Sequence, residues 1–113
     1  MAATANLTID QGATFSTDIT VKDNAGDALD LTDYTAEAKM ALGFSSTRTR
    51  VALTTAFASD RTTGVITISL TADQTKTLEA PARYVYDVEI TSADSTITRV
   101  IEGIITVNPS ITT

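Results

Sequence analysis

Three carboxylates in the C-terminal third of the chain are the residues best suited by type and spacing to do chemistry. Asp87 and Glu89 are two positions apart in one alternating segment, and Glu102 lies in the next one. Residues two apart share a face of a strand, and paired carboxylates can serve as acid and base. The same spacing is equally typical of a solvated strand face, which is the interpretation we favour.

The amino-acid composition argues against enzymatic activity. The 113-residue chain has no His and no Cys, and most nucleophile–base arrangements require one of them. The absence of Cys also excludes disulfides and thiolate metal sites. We therefore predict that the chain is not an enzyme, has no catalytic residues and uses no cofactor.

A metal site is conceivable only in the acidic segment that follows the second alternating run. Asp23, Asp27 and Asp30 are its candidate ligands, since Ca²⁺ takes six to eight oxygen atoms. Their spacing differs from that of an EF-hand, and Asp, Asn and Gly are also the usual residues of tight turns. The sequence therefore favours a turn, and we predict no metal.

The charge of the chain restricts its partners. The formal net charge is -6, with eight basic residues scattered along the sequence. Binding to nucleic-acid phosphates requires clustered Lys and Arg, so no nucleic-acid partner is expected. No apolar run approaches the length of a membrane helix, and Met1–Asn6 lacks the features of a signal peptide. We expect a product of the cytoplasm that does not insert into a membrane.

Alternation of apolar and polar residues predicts that the chain is built from strands. About one residue in five is Thr, and β-branched side chains favour strands. A helix is also compatible with 35–42, although the alternation there favours a strand. A phase shift near Glu102–Gly103 predicts a bulge. The predicted strands cover 7–10, 15–22, 29–34, 35–42, 51–57, 65–70, 83–91 and 97–107.

One short helix interrupts the strands. Thr71 and Gln74 have the spacing of a capping box, which predicts one or two helical turns near 72–78, with Pro81 preventing continuation. The pattern as a whole predicts an all-β, antiparallel sandwich of about seven or eight strands, with a small closed barrel as the alternative. We expect a single domain spanning 1–113, with tails at 1–6 and 110–113.

A resemblance to a known family rests on several ordered segments. They are Asp10–Phe15, Ile19–Asp23, Gly26–Tyr34, Gly64–Thr75, Tyr84–Ile90 and Arg99–Gly103. In order and spacing the chain resembles small virion proteins of tailed bacteriophages. It is similar to the immunoglobulin-like N-terminal domain of siphophage upper baseplate proteins. The resemblance implies an immunoglobulin-like sandwich with a structural role in the tail, baseplate, neck or capsid surface. It further implies localisation in the virion, other virion proteins as partners, and a homo-oligomer or many copies per particle.

Candidate interface residues follow from the predicted strand faces. Val100 and Ile104 alternate outward on the last predicted strand, and Tyr34 is the one aromatic residue expected at the surface. The alternative function is a receptor- or carbohydrate-binding module of a virion. That alternative has little aromatic support, because the chain has no Trp and the phase of Tyr84 and Tyr86 predicts a core position.

Overall fold

The computed structural model describes residues 3–23, 25–43 and 50–111. This part of the chain contains eight strands and two short helices, one on each side of the sixth strand. The predicted loop at 45–49, Phe44, Asn24 and the outermost residues of both predicted tails lie outside the described residues. The elements are β1 (Ala3–Thr4), β2 (Leu7–Asp10), β3 (Phe15–Thr20), β4 (Thr35–Ala41), β5 (Val51–Phe57), a 3-10 helix (Arg61–Thr63), β6 (Val65–Leu70), α1 (Ala72–Lys76), β7 (Ala82–Thr91) and β8 (Ile97–Asn108).

The strands form one continuous sheet that curls into two layers. Its order is β1-β8-β7-β4-β5-β6-β3, with β2 also paired to β8. The first half of β5, Val51–Leu53, pairs with β4, and its second half, Thr54–Phe57, pairs with β6. β5 thereby passes from the first layer to the second. No ladder joins β2 to β3 among the described strands, so the barrel alternative is wrong and the sandwich prediction is confirmed.

The N-terminal segment is the main departure from the predicted antiparallel topology. β1 and β2 both pair with β8 in the parallel direction, with Thr4 opposite Glu102 and Leu7 opposite Ile105. The prediction that 1–6 is a tail is therefore wrong for residues 3–6. Parallel neighbours in a sheet must be joined by a long crossover rather than by a tight hairpin. This chain provides the crossover, because β2 leads into β3, which pairs with β6 in the other layer.

Period-two alternation correctly identifies the side chains that form the core. In β6 and β7 every second residue is buried, and the strand prediction for 35–42 is confirmed by β4. Leu42, the last residue of the predicted strand, lies just beyond the end of β4 and is exposed. The fully or almost fully buried apolar side chains include Ile9, Ile19, Met40, Ile66, Ile68, Leu70, Tyr84, Tyr86, Val88, Ile90, Ile105 and Val107.

The bulge in β8 lies earlier than the sequence predicts. Val88 is opposite Ile101 whereas Glu89 is opposite Arg99, so Val100 is the additional residue. Beyond it the alternation is regular, and Ile101, Ile105 and Val107 are buried. The prediction of a bulge at Glu102–Gly103 is wrong because Gly103 serves another purpose. A Cβ atom there would lie 2.1 Å from the carbonyl oxygen of Ala5, which packs against β8.

The predicted edge strand at 29–34 is absent. Leu31 is buried there, but the segment is fixed by Arg61 rather than by a strand ladder. The backbone N–H of Leu31 donates to the carbonyl of Arg61 at 2.9 Å. The guanidinium donates to the carbonyls of Leu31 and Tyr34 at 3.3 and 2.9 Å, and lies over the ring of Phe57 at 4.0 Å.

Helix α1 lies between β6 and β7, and one of its hydroxyl groups ties it to the turn between β2 and β3. Its capping box is formed as predicted, with Thr71 at the N-cap and Gln74 at N3. The helix ends at Lys76, two residues before the predicted end. Thr75 is the buried polar residue of the described part. Its hydroxyl accepts from the N–H of Gly12 at 2.9 Å, and its one proton is shared between the carbonyls of Ala13 at 2.9 Å and Ala72 at 3.0 Å.

The connection into β7 carries a further tie to the backbone. The hydroxyl of Tyr84, near the start of β7, accepts from the N–H of Glu79 at 2.9 Å. A tyrosine at this corner, bonded to the backbone a few residues upstream, is the tyrosine corner of immunoglobulin-type sandwiches. Tyr84, which the sequence predicts in the core, therefore has a second role: its hydroxyl fixes the turn between α1 and β7.

Replacing Thr75 with Val tests the tie between the layers. Val has nearly the same shape but no hydroxyl, so the Gly12 N–H and Ala13 C=O lose a buried partner. We expect the free energy of unfolding in urea to fall by about 1–3 kcal/mol. Thr77→Val is the matched control, because the Thr77 hydroxyl is exposed, and a change within about 0.5 kcal/mol is expected. Equal effects of the two substitutions would contradict this role for Thr75.

Candidate binding face

The outward side chains of β4, β7 and β8 form a surface that we call the outer face. Strand register arranges them in three rows across the sheet. The rows are Ala41–Val85–Ile104, then Lys39–Asp87–Glu102, then Glu37–Glu89–Arg99. One apolar row therefore lies beside two charged rows.

The apolar row occupies a shallow depression of ≈ 280 Å³. Ile104 is 40% exposed there, Val85 is half-buried and Ala41 is almost fully buried. Lys39, Asp87 and Glu102 border the same depression. The depression thus offers apolar contact at its floor and charged groups at its rim.

The structure brings together two of the three carboxylates singled out by sequence. Asp87 and Glu102 are register partners, but Arg99 lies between them. Its Nε is 3.3 Å from Asp87 Oδ2, and its Nη1 is 4.0 Å from Glu102 Oε1. All three side chains are partly exposed. The arrangement matches a solvated, ion-paired strand face, whose pairs contribute at most about 1 kcal/mol each.

The three interface candidates do not form one surface. Ile104 lies in the depression of the outer face. Val100 is the bulged residue and packs partly against the core. Tyr34 is half-buried and lines a different groove. Sequence analysis missed Val85, whose outward position follows from the inward phase of Tyr84 and Tyr86. The exposed Ile97 was also missed.

A second depression, the loop groove, lies between the segment before β4 and the β7–β8 turn. It encloses ≈ 580 Å³ and is lined by Thr32, Asp33, Tyr34, Ser92, Ala93, Asp94, Thr96 and Thr98. Asp33 and Ser95 adopt left-handed backbone conformations, with φ of 66° and 69°. The lining combines one aromatic ring with hydroxyl and carboxylate groups.

Hydrogen bonds within the β7–β8 turn fix the Asp94 carboxylate. It accepts from the Ser92 hydroxyl and from the Thr96 N–H. These bonds, that from the Ser92 side chain above all, hold the pKa of Asp94 below its ordinary value. The carboxylate is therefore a structural part of the turn as well as a lining group of the loop groove.

The carboxylates of two candidate metal ligands, Asp23 and Asp30, serve as acceptors in turns, and the third candidate, Asp27, accepts through its backbone carbonyl from the N–H of Asp23 at 2.8 Å. Asp23 Oδ1 accepts from the N–H groups of Ala25 and Asp27 at 2.9 and 3.0 Å. Asp30 Oδ1 accepts from the Thr32 N–H at 3.0 Å and from its hydroxyl at 2.6 Å, which lowers the pKa of Asp30. Within residues 3–23, 25–43 and 50–111, no three acidic side chains cluster closely enough to hold a metal ion.

No helix in the described part of the chain has the length and apolar character needed to cross a membrane.

Comparisons with known proteins bear on the fold. No family model matches the chain, and no curated protein matches it. An internalin-like protein of Listeria monocytogenes is similar in structure, with a TM-score of 0.50 and 17% identity, covering 95% of this chain and 28% of that one. This chain thus spans less than a third of that protein's length. The Lin-41 filamin domain gives a TM-score of 0.41 and 16% identity, covering 82% and 81% of the two chains. Murine CRIg gives 0.43 and 12%, covering 93% and 92%.

The strand order, the tyrosine corner and the likeness to the internalin-like protein agree on the architecture. They confirm the predicted all-β, immunoglobulin-like sandwich. At these identities the likeness concerns the fold alone.

Asp94→Asn tests the hydrogen-bonded turn through its pH dependence. The pKa of Asp94 is lower in the folded chain than its unfolded value of 3.8. Its contribution to stability is therefore present above about pH 4 and lost as the pH falls further. Asn keeps the acceptor oxygen but does not titrate. Urea unfolding from pH 6 to pH 2.5 should show a steeper acid loss for the native chain than for Asp94→Asn, and parallel curves would refute this.

Proposed function

We propose that this chain is a non-enzymatic structural protein of a tailed-bacteriophage virion, in the tail, baseplate, neck or capsid surface. It acts by packing the outer face against another virion protein. The resemblance of the ordered segments from Asp10 to Gly103 supports the virion setting. The geometry of the outer face supports the mode of action.

The observation that carries this proposal is the apolar row in the outer-face depression. Protein interfaces combine a desolvated apolar centre with a polar rim. Here Ile104 is 40% exposed beside Val85, and charged side chains border both. Binding energy concentrates in a few central residues that fill pockets on the partner. Ile104 is the residue of this face best placed for that role.

The charged rows supply specificity rather than affinity. Glu37, Asp87, Glu89 and Glu102 outnumber Lys39 and Arg99 in those rows. No cation of the described part pairs with Glu89, whereas each of the other three carboxylates lies within 4.0 Å of a cation. Complementary potentials select partners and accelerate encounter. A partner surface with an apolar knob and a basic group facing Glu89 fits this pattern.

The absence of catalysis has its own support. The sequence contains neither His nor Cys. Arg99 bridges the two carboxylates that register brings together. Among the described residues, no buried side-chain polar atom lacks a hydrogen-bond partner. An unsatisfied group of that kind is one of the features that draw attention to a reactive site.

Ile104→Glu tests the proposal. A carboxylate at the centre of the apolar row should weaken association by more than about tenfold. The measurement is the amount of tagged protein incorporated into purified particles when the variant replaces the native chain during infection. Thr20→Glu, on the exposed side of β3 in the other layer, is the matched control. Urea unfolding checks that both variants fold.

Two results would overturn the proposal. The first is absence of the native protein from purified particles. The second is incorporation of the Ile104→Glu variant at the level of the native chain. Loss of both variants together would implicate the particle as a whole rather than the outer face.

A receptor- or carbohydrate-binding module is the second candidate, and the loop groove favours it. Tyr34 places an aromatic ring among Asp33, Asp94, Thr96 and Thr98. Aromatic rings provide apolar contact area, and hydroxyl and carboxylate groups provide directional hydrogen bonds. These are the groups that would contact the apolar face and the hydroxyls of a sugar.

Tyr34→Ala tests this second candidate in a glycan-binding screen. Loss of the ring should reduce affinity at least about tenfold, whereas Tyr34→Phe should retain most of it because stacking requires only the ring. The main-chain carbonyl of Tyr34 still accepts from Arg61 in both variants. A native chain that binds no glycan, or a Tyr34→Ala variant that binds equally well, would eliminate this function.

A further inference from the structure

The edge of β8 is shaped to receive an extended segment. Gly103 has no side chain at the point where the Ala5 carbonyl approaches, and a Cβ there would lie 2.1 Å from that oxygen. Tyr86 on the neighbouring strand is its register partner. The almost fully buried Tyr86 side chain donates its hydroxyl to the same carbonyl oxygen at 2.6 Å. Burial raises the pKa of Tyr86, so the hydroxyl remains a donor.

Residues 3–10 fill this edge, and both their backbone and their side chains contact β8 and the core. The Ala5 N–H donates to the carbonyl of Glu102 at 2.9 Å. The backbone pairing with β8 is interrupted between β1 and β2. There the Asn6 side-chain oxygen accepts a hydrogen bond from the N–H of Ile104 at 3.1 Å, in place of a backbone carbonyl. Leu7 and Ile9 then pack inward, with Ile9 completely buried.

Residues 3–10 are held to the sheet by β8 alone. Among the described strands, β1 and β2 pair with β8 and with no other strand. They connect to β3 through a turn in which Gly12 has a φ of 85°. Gly can exchange that conformation for an extended one with little strain. A change of direction at this turn would therefore leave every contact between the segment and β8 intact.

The free edge of this segment has little protection against pairing with another chain, because its one charged residue, Asp10, lies at the end of β2. Residues 3–9 contain no charged side chain, no Gly and no Pro. Natural edge strands usually carry a charge, a Pro or a bulge for this purpose, as Asp18 does in β3 at the opposite edge. A short segment whose first seven residues, 3–9, are uncharged is suited to pairing in trans.

We propose that residues 3–10 exchange between two copies of this chain, each copy placing its segment on the β8 edge of the other. The exchange conserves the contacts to Gly103, Tyr86 and Glu102. Its cost is the altered turn after Asp10, where the bonds of Gly12 and Ala13 to Thr75 must be given up or re-formed. Exchange of an identical element is a low-cost route to a two-fold dimer. This inference names a self-association mode for the proposed assembly function and rests on it.

An engineered disulfide distinguishes the exchanged dimer from a closed monomer. Thr8 and Thr106 are parallel register partners on the same face, within the Cα separation that a disulfide can span. The native chain has no Cys, so the double variant Thr8→Cys with Thr106→Cys can form one intended bond. Both positions lie at the surface or are half-buried, so folding should be preserved.

The reduced double variant is equilibrated up to about 1 mM, the range of intramolecular effective concentrations. It is then separated by size-exclusion chromatography and oxidised. We expect a dimer fraction that runs as a covalent dimer on a non-reducing gel and a monomer fraction that runs as a monomer. Glu37→Cys with Glu89→Cys is the matched control, because β4 and β7 stay in one copy and its bond should remain within the chain in both fractions.

Two outcomes overturn the exchange. One is the absence of any dimer up to about 1 mM. The other is a dimer whose Thr8→Cys/Thr106→Cys bond stays within each chain, as it would if two closed copies met edge to edge. The proposed function fails separately, through particle incorporation of Ile104→Glu, which does not depend on the 8–106 bond.

Discussion

The hydroxyl of Thr75 fixes the turn at which the chain crosses from the first layer to the second. The chain has no disulfide, so packing and hydrogen bonds alone must join the layers. β2 belongs to the first layer and β3 to the second, and the partly buried turn between them presents backbone groups to α1. Thr75 satisfies the Gly12 N–H and the Ala13 carbonyl there, and Gln11 adds a bond from its side chain to the Leu78 carbonyl at 2.9 Å. A helix of five residues thereby becomes the support for the crossover.

Gly103 sets a second constraint, because it allows the first strands and the last strand to meet. A larger residue would exclude the Ala5 carbonyl, and the Tyr86 hydroxyl would then be buried without its acceptor, at about 1–3 kcal/mol. The N-terminal segment, β8 and β7 are therefore coupled through one backbone oxygen. Since the outer face includes β7 and β8, the same coupling supports the surface proposed for assembly.

The parts of the fold that depend on local pattern could be predicted from sequence. Alternation identified β6 and β7, and the Thr71–Gln74 spacing identified α1. The parts that depend on distant contacts could not be predicted. The parallel pairing of β2 requires knowledge of where β3 goes, and the role of Gly103 depends on Ala5, nearly a hundred residues away in sequence. For the site, the shared face of Asp87 and Glu89 followed from pattern, whereas the pairing of Asp87 with Glu102 and the bridging position of Arg99 depend on the register and the bulge of β8.

The position of that bulge decides what the outer face presents. Because Val100 is the additional residue, Ile101 enters the core while Arg99 turns outward opposite Glu89. Ile104 then lies on the outer face, in register with Val85, and Val100 packs partly inside. Without an extra residue at 100, outward alternation from 104 would place Val100 rather than Arg99 on that face. Asp87 and Glu102 would lose their shared cation. One inserted residue thus places an arginine between two carboxylates beside the apolar row, giving the face both the anchor and the charge pattern that an assembly interface requires.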